Sequence, residues 1–160
     1  MPKTNVYKAA GFTLLNKLDE GGLRLYGVAT TINIAKGDAI HIDGDGYATN
    51  AVTAFAAEFV GIASHAANNT AGLDAAIDVL VIPPLEKYIF IVPVEQDAVI
   101  LQTDVGEIYD LESCNTIDLS DMGGAANAKG FFVDEIDAST AAVAINTNGY
   151  AIGHFVAHTA

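Results

Sequence analysis

The chain has 160 residues, of which 51% are hydrophobic and 17% are charged, with no Trp and a formal net charge of −13. Its few Lys and Arg residues do not cluster, so we expect no direct contact with nucleic acid, which requires neutralisation of phosphates. The single cysteine, Cys114, excludes an intrachain disulfide, and no apolar stretch is long enough to cross a bilayer, so we expect no membrane partner.

The charge is unevenly distributed along the chain. Residues 1–87 contain six basic residues against nine acidic ones, a net charge of −3. Residues 88–160 contain Lys129 alone against eleven acidic residues, a net charge of −10. The first portion could therefore face a partner while the second faces solvent. Alternatively, the acidic residues only keep an Ala-rich protein soluble.

The first segment, residues 1–22, mixes apolar and basic residues without the periodicity of a strand or a helix. We interpret it as an N-terminal arm that is extended, forms a short helix or is unordered. Terminal arms are frequent sites of partner contact. Phe12 and Leu14 are the candidate contact residues of this arm.

Residues 23–84 contain short β-type segments separated by turn residues, which indicates a first β lobe. The predicted strands are 28–34, 39–42, 58–64 and 77–82. Asp43-Gly44-Asp45-Gly46 holds two Asp-Gly pairs and predicts a hairpin. Pro83-Pro84 ends the lobe, because proline has no N–H to donate to a ladder. These prolines are either a hinge between two lobes or a kink within one continuous domain.

Residues 85–160 form the second predicted β lobe. Residues 88–94 are apolar on both faces, since Tyr88, Phe90, Val92 and Val94 alternate with Ile89 and Ile91. Such a strand is buried on both sides, by its own core and by another lobe or subunit. Tyr88, Phe90, Ile91 and Val92 are therefore candidate oligomer contacts. The other predicted strands are 99–102, 115–119, 131–136, 142–146 and 151–156. A long exposed loop is predicted for 118–129.

The pattern as a whole predicts an all-β fold, a small β-barrel or β-sandwich with an extended N-terminal arm. No catalytic or metal-binding motif is visible in it. A calcium loop beginning at Asp43 would need an oxygen ligand at its fifth position and Glu at its twelfth, where Tyr47 and Ala54 stand. The four His residues lack zinc-ligand spacing, and the acidic neighbours of Cys114 would raise the pKa of its thiol. We therefore expect no catalytic activity, no cofactor and no bound metal.

Several short motifs resemble those of capsid decoration proteins, also called cement proteins, of tailed bacteriophages. The resemblance extends from Gly27 to Tyr150 and rests on a Lys-Gly-Asp turn at residues 36–38, a Gly-Ile-Ala strand at 61–63 and a Val-rich strand at 78–82. It also includes Val92-Pro93-Val94, Asp104-Val105-Gly106, Asp110-Leu111 and Ile145-Asn146.

This resemblance implies a non-enzymatic structural protein on the outer surface of an icosahedral head, made in the host cytoplasm. Its partner would be the major capsid protein, and it would form a homotrimer. Its N-terminal arm would pair with capsid strands. The candidate oligomer or capsid contacts are Tyr88, Phe90, Ile91, Val92, Phe12 and Leu14.

Two other functions remain open from the sequence. One is a carbohydrate-binding or adhesion module of a virion fibre, which would need an exposed aromatic platform, and the lack of Trp counts against it. The other is a subunit of a phage tail tube or connector, which a long flat strand pair in a ring-forming protein would favour.

Overall fold

The computed structural model describes residues 11–51, 58–94, 99–122, 130–137 and 149–156. The secondary structure of these residues consists of short strands and one single-turn 3₁₀ helix at Gln102–Asp104. The strands are β1 (Thr13–Leu14), β2 (Arg24–Gly27), β3 (Asn33–Ile34), β4 (Ala39–Ile42), β5 (Ala48–Thr49), β6 (Phe59–Ala63), β7 (Ala67–Asn68), β8 (Asp78–Ile82), β9 (Phe90–Pro93), β10 (Ile108–Ser113), β11 (Thr116–Met122), β12 (Gly130–Asp137) and β13 (Tyr150–Val156).

The strands form three antiparallel sheets. A five-stranded sheet has the order β2-β8-β6-β4-β5, and a six-stranded sheet has the order β1-β9-β13-β12-β10-β11. The third sheet is the pair β3-β7. The predicted all-β fold is confirmed, and in the part of the chain that the structure describes neither large sheet closes into a barrel. An isolated bridge between Val94 and Ile117 brings β11 back toward β9, and a second one joins Val28 to Ala48 of β5.

Both faces of the five-stranded sheet are apolar. Neighbouring residues in a strand point to opposite sides, and here apolar residues occupy both sides. On β6, Ile62 joins a core cluster shared with the six-stranded sheet, whereas Ala63 joins a second cluster. On β8, Ile82 and Val81 divide between the same two clusters. The second cluster includes residues of β3 and β7, so the small sheet covers the face turned away from the six-stranded sheet.

Five phenylalanine rings occupy the centre of the shared core cluster. Phe155 on β13 lies 5.1–5.4 Å, centroid to centroid, from the rings of Phe12, Phe59, Phe90 and Phe131. Most of these pairs have edge or tilted geometry, which aromatic rings prefer over face-to-face stacking. Because Phe59 belongs to the five-stranded sheet and Phe90 to the six-stranded one, the two sheets share one aromatic core.

The predicted boundary at Pro83-Pro84 separates the chain segments of the two large sheets. The five-stranded sheet takes its strands from residues 24–82, and the six-stranded sheet takes all but β1 from residues 90–156. The shared core cluster nevertheless contains residues from both sides of these prolines. This arrangement favours one continuous domain over two lobes joined by a hinge.

The end of the predicted N-terminal arm is part of the six-stranded sheet. In β1, Thr13 pairs with Ile91 and Leu14 pairs with Phe90. The N–H of Phe12 donates to the carbonyl of Gly37 at 2.9 Å, and the Phe12 ring is buried in the shared core. The prediction that this part of the chain is a separate arm was therefore wrong from residue 12 onward, while residues 1–10 lie outside the described residues.

The acidic turn at Asp43 is a hairpin, as predicted. His41 and Ile42 of β4 pair with Thr49 and Ala48 of β5. The Asp43 carboxylate accepts hydrogen bonds from the backbone N–H groups of Asp45 and Tyr47 at 3.0 and 2.9 Å. This side chain therefore stabilises the turn, which is a usual role of Asp at this position.

Other strand predictions were wrong in part. Residues 99–102 are not a strand: the Asp104 carboxylate accepts from the N–H of Leu101 at 2.6 Å and fixes the 3₁₀ turn instead. The predicted strand 28–34 is interrupted, since Thr31 has a φ of 65°. Residues 118–122 of the predicted loop are strand, because β11 continues to Met122, and the rest of that loop lies outside the described residues. The predicted strand 142–146 lies outside the described residues.

Candidate interaction surface

Most of the residues predicted to contact another subunit or a capsid are buried within the chain. Tyr88, Phe90, Val92 and Phe12 all belong to the shared core cluster, and none is more than 3% exposed. Their side chains pack against residues of their own chain and do not form a surface for a partner. Both faces of β9 are covered within the chain, so its apolar character does not require another subunit, which was one of the two coverings predicted for it.

Ile91 and Leu14 lie differently from the other four candidates. Ile91 points to the opposite face of the six-stranded sheet, where it forms a small buried cluster with Tyr150. Leu14 is half-buried and packs against the shared core. Burial raises the pKa of the Tyr150 phenol above its ordinary value, with a further contribution from the Asp137 charge. Both candidate residues thus have neighbours within the chain, as the other four do.

A first set of contacts between the N-terminal segment and the residues before β9 forms around Tyr88. The N–H of Asp19 donates to the Tyr88 hydroxyl at 3.4 Å, and the Asn16 side chain bonds the backbone of Lys87 and Ile89. Lys87 and Asp19 form an exposed ion pair. Its hydrogen bond raises the pKa of Lys87, although an exposed pair of this kind adds little to stability.

A second set of contacts connects the β10–β11 hairpin to the turn before β4. The N–H of Ala39 donates to the carbonyl of Cys114 at 2.6 Å. The buried Asp38 carboxylate accepts from the N–H of Ala35 at 2.8 Å and from the Asn50 amide at 2.7 Å. Burial raises the pKa of the Cys114 thiol to about 12, assisted by the charge of Asp38 and a hydrogen bond to it. The thiol is thus protonated at neutral pH.

We expect native Cys114 to react slowly with iodoacetamide at pH 8. The thiolate is the reactive form, and a pKa of about 12 reduces its population more than about 100-fold relative to an ordinary cysteine. Mass spectrometry should show slow alkylation of the folded protein and rapid alkylation in concentrated urea. Equal rates in both states would contradict this protected environment.

The histidines that the structure describes have structural neighbours. The buried His41 ring lies 5.2 Å from the Phe59 ring. The Nε2 atom of His65 accepts from the N–H of Leu80 at 3.1 Å, and Nδ1 of His154 is 2.7 Å from the Asp134 carboxylate. Within the described residues, no group of three or more His, Cys, Asp and Glu side chains is arranged to hold a metal ion. His158 lies outside these residues.

A set of large apolar side chains remains exposed on the described surface. Leu73 is 82% exposed, Leu25 is 62% exposed and Leu101 is 58% exposed. The full set is Leu15, Leu25, Leu73, Ile77, Leu85, Val99 and Leu101. The sequence analysis did not identify these residues as contacts, because most of them lie in turns or loops where an apolar residue has no periodic context. A single Leu within the Ala, Gly and Asp of residues 71–76 was the one available signal for Leu73.

Comparison of this chain with protein-family models, curated proteins and solved structures gave no match. Among the described residues, no helix is long and apolar enough to span a membrane.

Proposed function

We propose that this protein is a non-enzymatic structural protein that binds the outer surface of a bacteriophage capsid and stabilises it as a decoration protein. The observation that carries the proposal is where the exposed apolar side chains lie. Five of the seven in the described surface fall between Leu15 and Leu85, in the portion of the chain with a net charge of only −3. An apolar surface with little net charge is suited to contact with another protein.

The remaining portion of the chain supports the same polarity. Residues 88–160 carry a net charge of −10, and Asp110, Glu112, Asp134 and Glu135 lie on the strands of the six-stranded sheet. A strongly acidic surface favours contact with solvent. We therefore assign the five-stranded sheet and its loops, where Leu25, Leu73 and Ile77 are exposed, to the capsid and the six-stranded sheet to the outside of the particle.

The homotrimer in this proposal rests on the resemblance to decoration proteins and on the low charge density of the chain. The strand β9, which is apolar on both faces, does not support a homotrimer, because Phe90, Ile91 and Val92 are covered within the chain. The carbohydrate-binding alternative would need exposed aromatic rings. In the described part of the chain, Tyr and Phe side chains are buried or half-buried, which gives that alternative no support.

The proposal is tested by heating capsids with and without the protein. Purified heads that lack it, from the virus that encodes it, should release DNA at a higher temperature after the protein is added. Binding to the assembled state alone stabilises it by about 2.7 kcal/mol per site at a free concentration of about 100 times Kd. DNA release is followed with an intercalating dye during a temperature ramp.

His154→Gln is a suitable control, since this side chain lies on the six-stranded sheet and should stabilise heads as the unaltered protein does. Identical release curves at saturating occupancy would exclude a cementing role and leave display or adhesion. Absence of binding to heads would overturn the proposed function.

A further inference from the structure

The loop of residues 70–77, here called the Leu73 loop, presents the most exposed large apolar side chain of the described surface. Leu73 is 82% exposed, and Ile77 at the end of the loop is exposed as well. Scattered exposed leucines are ordinary in soluble proteins. Leu73 differs because the backbone that carries it is held by hydrogen bonds on both sides.

Hydrogen bonds connect the Leu73 loop to the segment after β2. The N–H of Thr30 donates to the Asp74 carboxylate and the Thr30 hydroxyl donates to the carbonyl of Gly72, both at 2.7 Å. The N–H of Ala75 donates to the carbonyl of Val28 at 3.0 Å. The loop is therefore fixed at its centre as well as at its ends.

A buried amide supports the loop from inside the protein. The Asn69 side chain is 1% exposed, and its Nδ2 donates to the carbonyls of Leu73, Val28 and Ala29 at 2.9, 3.0 and 3.2 Å. The Leu73 backbone is thus tied to the core, while its side chain projects outward. A loop whose backbone is already held in this way loses little conformational freedom on binding, which favours tight binding.

Backbone strain accompanies this arrangement. Ala75 in the loop and Thr31 in the facing segment have φ values of 58° and 65°, which are unfavourable for residues other than glycine. Such strain persists only when surrounding contacts enforce it, and it is concentrated at functional sites. Within the described residues, Thr31 and Ala75 are the non-glycine residues with positive φ. Both lie at the Leu73 loop.

Leu25 extends the apolar surface beside the loop. Leu25 and Gly27 project from the same side of β2, and a Cβ added to Gly27 would lie 2.7 Å from the Cβ of Ala75. The loop therefore covers the end of β2 next to Leu25, which is 62% exposed. In the described structure β2 pairs with β8 alone, and Val28, the residue after β2, forms an isolated bridge to Ala48 of β5. The edge of the five-stranded sheet is therefore open at Leu25 but not beyond Gly27.

The charges around the Leu73 loop indicate the kind of partner. Asp74 and Asp78 are exposed, and the sequence contains no Lys or Arg between Gly37 and Glu86. The exposed basic residue of this region is Arg24, which precedes Leu25 on β2 and, as its neighbour in a strand, points to the opposite side. A pocket that receives Leu73 would therefore gain from basic residues at its rim. A second copy of this chain, with seven basic residues against twenty acidic ones, is poorly suited to provide them.

We propose that the Leu73 loop is the anchor of attachment, with Leu73 seated in an apolar pocket of a different protein whose rim carries Lys or Arg. This inference rests on the proposed function in so far as the pocket belongs to a capsid protein. The Leu73 loop is then the centre of the interface, and Leu25 lies beside it.

Binding measurements with head particles test the anchor directly. Leu73→Asp should weaken binding at least about 100-fold, because a charge would enter an apolar pocket, and Leu73→Ala should weaken it by a smaller factor. Leu101→Asp is the matched control, since Leu101 is also exposed but lies at the 3₁₀ turn. Circular dichroism and thermal melting should show that all three variants fold normally. Equal binding by Leu73→Asp and Leu101→Asp would overturn the anchor.

Photocrosslinking separates failure of the anchor from failure of the proposed function. A photoreactive amino acid is placed at position 73 of the full chain, and at position 101 as the control. The protein is expressed in the cells that normally produce it, and crosslinked sites are mapped by mass spectrometry. Crosslinks from position 73 to an apolar site beside Lys or Arg on a head protein support both proposals. Such a site on another protein, lost when an adjacent basic residue is replaced, keeps the anchor and overturns capsid attachment.

Three results would overturn the anchor itself. Crosslinks from position 73 to a second copy of the chain would place Leu73 in a homo-oligomer interface. Crosslinking no stronger than at position 101 would mean that the loop is not a contact. Flotation of the unaltered protein with phosphatidylcholine vesicles, lost in Leu73→Asp, would identify a lipid surface as the partner.

Discussion

Replacing Phe155 with Ala is expected to unfold both large sheets together at a much lower urea concentration. The Phe155 side chain is fully buried, and its ring contacts Phe59 of the five-stranded sheet and Phe90 of the six-stranded sheet. Truncation of a buried Phe to Ala costs about 3–5 kcal/mol through lost transfer energy and the cavity left behind. That is a large fraction of the stability of a domain of this size.

Urea unfolding followed by far-UV circular dichroism and by tyrosine fluorescence measures this effect. Both probes should report one transition at the same, lower midpoint. Phe132→Ala is the matched control, because Phe132 precedes the buried Val133 on β12 but is only half-buried. Phe132→Ala should lower the free energy of unfolding by clearly less than Phe155→Ala does. Two separated transitions, with only one affected by Phe155→Ala, would mean that the sheets fold as independent lobes.

Replacing Gly61 with Ala is the second change with a large expected effect. Gly61 lies in the middle of β6 with a φ of 137°, in a region that residues with side chains rarely adopt. An added Cβ would lie 2.9 Å from the carbonyl carbon of Ile82 and 2.8 Å from Cγ1 of Val81. The first of these is backbone of the neighbouring strand β8, which cannot move without disturbing the sheet.

We expect Gly61→Ala to lower the free energy of unfolding by about 3 kcal/mol, from overpacking and backbone strain together. Gly44→Ala, in the hairpin turn between β4 and β5, is the control, since a Cβ there would meet no atom within 4 Å and the φ of Gly44 is not positive. Thermal unfolding of the two variants compares them directly. A melting temperature of Gly61→Ala equal to that of Gly44→Ala would show that β6 and β8 separate easily at this point.

The parts of the fold that depend on local sequence were predictable. Residues 39–42 were predicted to be a strand and form β4. The Asp-Gly pairs that follow specify a hairpin, because the Asp43 carboxylate accepts hydrogen bonds from backbone N–H groups of its own turn. The strand β10 was missed although its pattern was present: Tyr109 and Leu111 are buried, whereas Asp110 and Glu112 alternate with them. Period-two alternation with acidic outer residues would have identified it.

The parts that depend on distant residues were not predictable from local pattern. Phe12 precedes a strand of two residues, and its burial depends on rings contributed by Phe90, Phe131 and Phe155. The exposure of Leu73 likewise depends on Asn69 and Thr30, which hold the backbone of its loop in place. An apolar residue in a loop can be buried or exposed, and only the tertiary structure decides between them.

The pairing of β1 with β9 has a consequence for the order in which the protein folds during synthesis. The residues of the five-stranded sheet leave the ribosome before those of β9, so its face carrying Ile62 and Ile82 has no partner sheet at that stage. Thr13 pairs with Ile91, so this pairing cannot form until Ile91 has been synthesised. Contacts between residues so far apart in sequence also form slowly. The first strand to be synthesised is therefore placed only after β9 has been made.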